Sequence, residues 1–154
     1  MLQKQKETIL ALLKSDEANK NYKRNYWFSY KDYLDPTDNF TDFSCENLDG
    51  KQEYITLIEN LLNADETAKI FVQVYGLDED NNDEFISADT LIVFSTLPLH
   101  EIKRIFNEPE DIFPSDIGEL TDFSQNFVVG DNGNLFPGVN LFNNGYSAYY
   151  CWWD

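Results

Sequence analysis

Basic side chains are scarce in this chain and nearly absent from most of it. Of its 11 Lys and Arg, only Lys51, Lys69, Lys103 and Arg104 lie beyond residue 31, where they face 25 of the 28 Asp and Glu. The formal net charge is −17. A long-range negative potential repels nucleic acid and anionic lipid and draws in cationic protein surfaces, speeding encounter by roughly 10 to 1,000-fold at low salt. The charge balance therefore predicts a basic protein partner, with no nucleic acid and no membrane.

Histidine is limited to His100, which has no Cys or His at metal-ligand spacing, so no metal site is expected from it. Cysteine is limited to Cys45 and Cys151. Cys151 lies in an aromatic run where a buried, inert thiol is the default, and the acidic setting of Cys45 raises a thiol pKa, so neither favours Cys–His catalysis. The apolar run Ile9 to Leu13 is short, flanked by charge and followed by no small-residue cleavage site, which argues against a signal peptide. No stretch is long enough to span a bilayer. Two distant cysteines without a secretory signal then point to free thiols and a reducing cytoplasm. GxGxxG, P-loop, HExxH and GxSxG motifs are also missing, so no cofactor is signalled.

Aromatic residues are plentiful. With 12 Phe, 9 Tyr and 3 Trp in 154 residues, the chain differs from disordered acidic proteins, which cannot bury enough apolar surface to offset the entropy of ordering. This length suits one globular domain with an acidic skin, residues 1–154.

Periodicity predicts a first helix over Lys4 to Asn19, with Ile9, Leu10, Leu12 and Leu13 on one face. The aromatic run Asn21 to Leu34 favours a strand, and Asp35 to Gly50 a loop ending in a capping box from Asp49 to Gln52. Tyr54, Leu57, Ile58, Leu61 and Leu62 recur at helical spacing, placing a helix at Lys51 to Ala64. Lys69 to Tyr75 and Thr90 to Ser95 read as two strands of a hairpin around an acidic turn, Asp78 to Glu84. Pro98 opens another helix, Leu99 to Phe106, followed by an acidic, Pro-punctuated connector, Glu108 to Asp122. A DNG turn at Asp131 to Gly133 after Phe127 to Val129 marks a tight hairpin, and a turn at Asn140 to Gly145 precedes a last strand, Tyr146 to Trp153. This order predicts an α+β domain: a mostly antiparallel sheet with about three helices packed on one face.

Three groups of residues bear on function. Asp78 to Asp89 partly matches a calcium-binding loop, with oxygen ligands at Asp78, Asp80, Asn82 and Glu84. Asp83 replaces the required glycine and Asp89 the bidentate glutamate, so a solvated hairpin is the expected reading and no metal is assigned. In the last strand both faces carry large aromatics. Either the strand is central and buried, or Tyr149, Trp152 and Trp153 include anchors for a partner, since Trp and Tyr dominate interface hot spots. The carboxylates Asp78, Glu79, Asp80, Asp83, Glu84, Glu108, Glu110 and Asp111 are either solubilising surface or the groups that meet a basic target.

The segments DTLIVFSTLPLHEIKRIF and PSDIGEL and the ending YYCWWD, in a compact acidic α+β chain without a recognisable active site, resemble the small immunity proteins encoded beside bacterial polymorphic or contact-dependent toxins. That resemblance implies cytoplasmic, stoichiometric inhibition of a toxin domain, commonly a nuclease, without catalysis. It transfers no site residues. Two other readings differ in class: a small enzyme using paired carboxylates, as in glycoside hydrolysis, or a divalent ion, and a regulatory interaction domain with no toxin partner.

Overall fold

The computed structural model describes residues 1–43, 50–109, 113–142 and 145–154. Four helices alternate with strands: α1 (Gln3–Ala18), α2 (Tyr30–Tyr33), α3 (Lys51–Ala64) and α4 (Leu99–Asn107). The strands are β1 (Asn25–Ser29), β2 (Thr41–Phe43), β3 (Lys69–Asp80), β4 (Asp83–Ser95), β5 (Asp116–Glu119), β6 (Asn126–Val129), β7 (Leu135–Pro137) and β8 (Ser147–Trp152). They form one sheet in the order β5-β8-β4-β3-β1-β6-β7, with β2 paired to β4 beside β8. Among the described residues only β1–β6 and β2–β4 are parallel. The expected α+β class with a mostly antiparallel sheet holds.

Strand alternation divides the apolar residues between two faces. Tyr26, Phe28, Ile70, Val72, Leu91, Val93, Tyr149 and Cys151 point to the face covered by α1, α3 and α4 and pack with Ile9, Leu57, Leu61, Ile102 and Phe106. Trp27, Ile92, Phe94 and Ala148 point to the other face, where Phe123, Phe136 and Leu141 from the connecting segments cover part of a second cluster. Among the described residues all four helices serve the first face, and only connecting segments and β7 cover the second, which leaves part of it open.

Polar side chains fasten the helices to the sheet. Gln5 accepts the Leu2 N–H at 3.1 Å and donates to Asp32 at 3.0 Å, joining α1 to α2. Tyr26 donates its hydroxyl to Asp16; burial first, and then that carboxylate, push the phenol up to about 12. Asp65, after α3, accepts from the Ser95 and Thr96 hydroxyls and the Thr96 N–H, tying the helix end to the end of β4. Burial would raise this carboxyl, but the bonds from Ser95, Thr67 and Thr96 outweigh it and hold the pKa at about 2.

Several expectations need correction. The aromatic run at Asn21 to Leu34 divides into β1 and the single turn α2. The loop expected at Asp35 to Gly50 contains β2, whose formation depends on contacts distant in sequence: the Tyr33 hydroxyl reaches Asp42 O at 2.7 Å and Ile86 O at 3.1 Å, and Lys51 donates to the Thr41 hydroxyl at 2.7 Å. The connector after Glu108 contains β5, paired with β8. Helix α3 starts after Gly50, and Asp49 of the expected capping box lies outside the described residues. In the DNG turn Gly133 adopts φ +82°, and a Cβ there would come within 2.5 Å of the Thr8 hydroxyl, so both the turn and the contact with α1 require glycine.

Candidate functional site

The β3–β4 hairpin continues as paired strands through the acidic segment expected to be a loop. Its turn is only Asn81 and Asn82, with φ of 49° and 70°. Two consecutive left-handed residues match the right-handed twist of the flanking strands, and asparagine tolerates that region better than other side chains. Pairing places like charges directly opposite each other, Glu79 across from Glu84 and Asp80 across from Asp83. Such facing carboxylates are destabilising.

Two bulges separate this acidic half from the buried half. Between the pairs Gln73–Thr90 and Val74–Ala88 the extra residue is Asp89; between Val74–Ala88 and Gly76–Ser87 it is Tyr75. Because one bulge falls on each strand, alternation resumes in phase: Leu77 and Ile86 return to the helix-covered face, and Asp78, Asp80 and Asp83 project from the other. Glu79 and Glu84 face the helices, where Lys14 of α1 meets Glu84 at 2.9 Å. The Glu84 bond, with the fields of Glu84 and Glu79, raises the Lys14 ammonium above its usual range.

Asp89 is held firmly. It accepts from the Thr90 hydroxyl at 2.8 Å and the Trp152 indole N–H at 3.1 Å, and its carbonyl accepts the Trp153 N–H at 2.9 Å. Trp152 is thereby fixed on the open face, 37% exposed, beside a depression lined by Asp42, Tyr75, Asp78, Ser87, Ala88 and Asp89. Ser87 donates to Asp78 within it. Tyr75, at the bulge, is 77% exposed.

On the other side of Trp152 the open face forms a groove of about 790 Å³. Its floor is Gln73, Thr90 and Ile92; Tyr150 and Trp152 form one wall, and Asn25, Asn126 and the segment around Asp122 the other. Gln73 accepts the Trp27 indole N–H through Oε1 at 2.9 Å, which leaves its amide N–H groups for the groove. Asn25 donates to Asn126 at 2.9 Å. Asp122 accepts the Ser124 N–H at 2.9 Å, which lowers its pKa, so it stays ionised rather than serving as a proton donor. Tyr150 donates to Asp116 at 2.8 Å while its ring lies over Gly118, where a Cβ would meet the phenol oxygen at 2.5 Å.

The structure therefore brings Asp78, Glu79, Asp80, Asp83 and Glu84 together on one ribbon, with Trp152 near its base. Glu108 is apart from them, exposed at the end of α4 on the helix-covered side. Tyr149 and Trp153 correct the expectation of anchors: they are 2% and 3% exposed. Tyr149 donates to Leu97 O at 2.7 Å, and Trp153 meets Tyr54 edge-to-face at 5.1 Å. Their face of β8 is the one the helices cover, which makes them core. Cys151 shares it, and burial pushes its thiol well above the usual range, so it stays protonated. Glu110, Asp111 and Cys45 lie outside the described residues.

Sequence reasoning missed Tyr75, Asp42 and the grip on Asp89. Tyr75 at the end of an expected strand and Asp42, one of several carboxylates in an expected loop, carry no local signal, because the bulges and β2 bring them to this face. The calcium-loop comparison fails on geometry, since residues 78–80 and 83–88 are paired strands with ligand positions on opposite faces. Among the described residues no three His, Cys, Asp or Glu side chains gather as metal ligands, and no helix is long and apolar enough to cross a membrane. Comparison with protein-family models, curated proteins and solved structures returns no match.

Proposed function

We propose that this protein is a non-catalytic binder of a basic protein, acting as an immunity protein that neutralises a nuclease-type toxin by stoichiometric cover in the cytoplasm. One observation carries the reading. The hairpin tip aligns Glu79 with Glu84 and Asp80 with Asp83, and Lys14 on Glu84 is the one cation bonded to these four among the described residues. A fold gains nothing from carboxylates that repel across a ladder, whereas a cationic partner would be drawn to them and would relieve the repulsion on docking. A nuclease must be positive where it holds phosphate, and a fixed anionic ribbon competes there.

The test is to read the coding neighbourhood and co-express the protein with any nuclease-type toxin domain found there. Growth should be restored, and the purified pair should associate about tenfold more slowly at high salt than at low salt. Persistent killing, or an association rate indifferent to salt, rejects the reading.

A further inference from the structure

We infer that the open face of the sheet, from the groove beside Tyr150 across Trp152 to Asp78, is the docking surface, and that its occupant is an extended arginine-bearing segment of the basic partner. This assignment rests on the function proposed above and adds the place and the chemistry of recognition.

Charge, shape and ring geometry agree on this occupant. Among the described residues the depression between Trp152 and the hairpin is lined by three carboxylates, Asp42, Asp78 and Asp89, and by no Lys or Arg. Asp78 and Asp89 are held in place by Ser87, Thr90 and Trp152, so a cation meets acceptors already oriented. Exposed rings, Tyr75 and Trp152, flank the same carboxylates. Aromatic faces beside fixed carboxylates suit a guanidinium better than an ammonium, because the planar group stacks on a ring while donating in a fork.

The adjoining groove explains why the segment is extended. Among the described residues it holds one cation, Lys23, and one carboxylate, Asp122, so it has no strong preference for charge. It offers amides at Gln73 and Asn25, which can bond a peptide backbone, and an apolar strip at Ile92 and Leu120 for a neutral side chain. A chain crossing Trp152 thus places its arginines over the carboxylates and its neutral residues in the groove. A second copy of this protein is disfavoured, since it would bring the same carboxylates against each other.

The experiment is a titration of the isotope-labelled full chain with octa-arginine, octa-lysine and a neutral Gly-Ser octapeptide, followed by amide and indole resonances. The expected result is saturable movement of the Trp152 indole N–H and of the Gly76, Ser87 and Thr90 amides by octa-arginine. Octa-lysine should bind about threefold more weakly and the neutral peptide not measurably. Tyr75→Ser and Asp78→Asn should each weaken octa-arginine about threefold, with Glu108→Gln unchanged. Trp152→Ala should do the same; the Tyr75 variant keeps the test valid if that change disturbs Asp89. Binding that leaves the Trp152 indole unmoved and shifts α4 instead overturns this docking face while sparing the basic-partner reading. Equal affinity for the two cationic peptides overturns the arginine assignment, and failure of both to bind overturns both readings.

Discussion

The two halves of the β3–β4 hairpin share one ladder and are stabilised in opposite ways. From Leu91 to Phe94 every side chain is buried, and from Ile70 to Val74 every second one is, with Phe71 and Gln73 half-buried; on both strands alternate residues reach the main core. Past Tyr75 and Asp89 the ladder continues through Leu77 and Ile86, which still reach the core, to a tip where Glu79 faces Glu84 and Asp80 faces Asp83, held by backbone bonds, the Asn81–Asn82 turn and Lys14. The contrast teaches that strand pairing here persists where burial has ended, so the outer half serves as a rigid display rather than as core. Its rigidity comes from the inner half, whose position is fixed by β8 and Asp65.

The comparison breaks most severely at the inner half. Leu91→Ala removes a fully buried side chain between β3 and β8 and should cost about 3 kcal/mol in denaturant unfolding. An equally large loss from Asp80→Asn would mean the outer half bears stability after all. Next, Asp65→Ala leaves the Ser95 hydroxyl and the Thr96 N–H without their acceptor and should cost about 2 kcal/mol. The Asp65 carboxyl is depressed in the folded state, so its contribution is present above the ordinary value of 3.8 and disappears as the pH falls through about 2. Unfolding curves of the wild type and Asp65→Asn should therefore differ by a constant amount above pH 4 and converge towards pH 2.

At the turn, Asn82→Ala forces alanine to φ 70° and should cost about 1 kcal/mol. Hydrogen exchange should place that loss in the Glu79 to Glu84 amides, with the Leu91 and Val93 amides still as slow as before. The smallest effect has the opposite sign. Replacing Asp80 and Asp83 by asparagine should stabilise the fold by roughly 0.5 kcal/mol, and about 0.3 M NaCl should raise the melting temperature of the wild type more than that of the double variant. A wild type insensitive to salt would mean its carboxylates are individually satisfied.

What could be read in advance follows from how local each signal is. Helix α3 lies at Lys51–Ala64 as predicted, because its apolar spacing is complete within its own residues, and Pro98 and the DNG turn are equally self-contained. Strands β2 and β5 were not legible: three or four residues hold no periodicity, and Tyr33, Lys51 and β8 stabilise them from elsewhere. Carboxylates at Asp78 to Glu84 imitate a loop, since a hydropathy reading cannot register backbone pairing that continues without burial. The burial of Tyr149 and Trp153 depends on which side of β8 receives the helices, and a strand aromatic on both faces conceals that choice. Only Trp152 among the aromatic candidates is exposed, and its partner Asp89 is displaced to it by a bulge that no residue nearby announces.

The parallel contact of β1 with β6 has a kinetic consequence. Asn25 registers with Asn126, so this ladder forms only after a chain segment of about 100 residues has closed, at an entropic cost recovered late. Chains governed by such distant pairing fold in milliseconds to seconds rather than microseconds. Until closure Val128 is not yet packed against Trp27, so the indole fluorescence of Trp27 should report the slowest refolding phase.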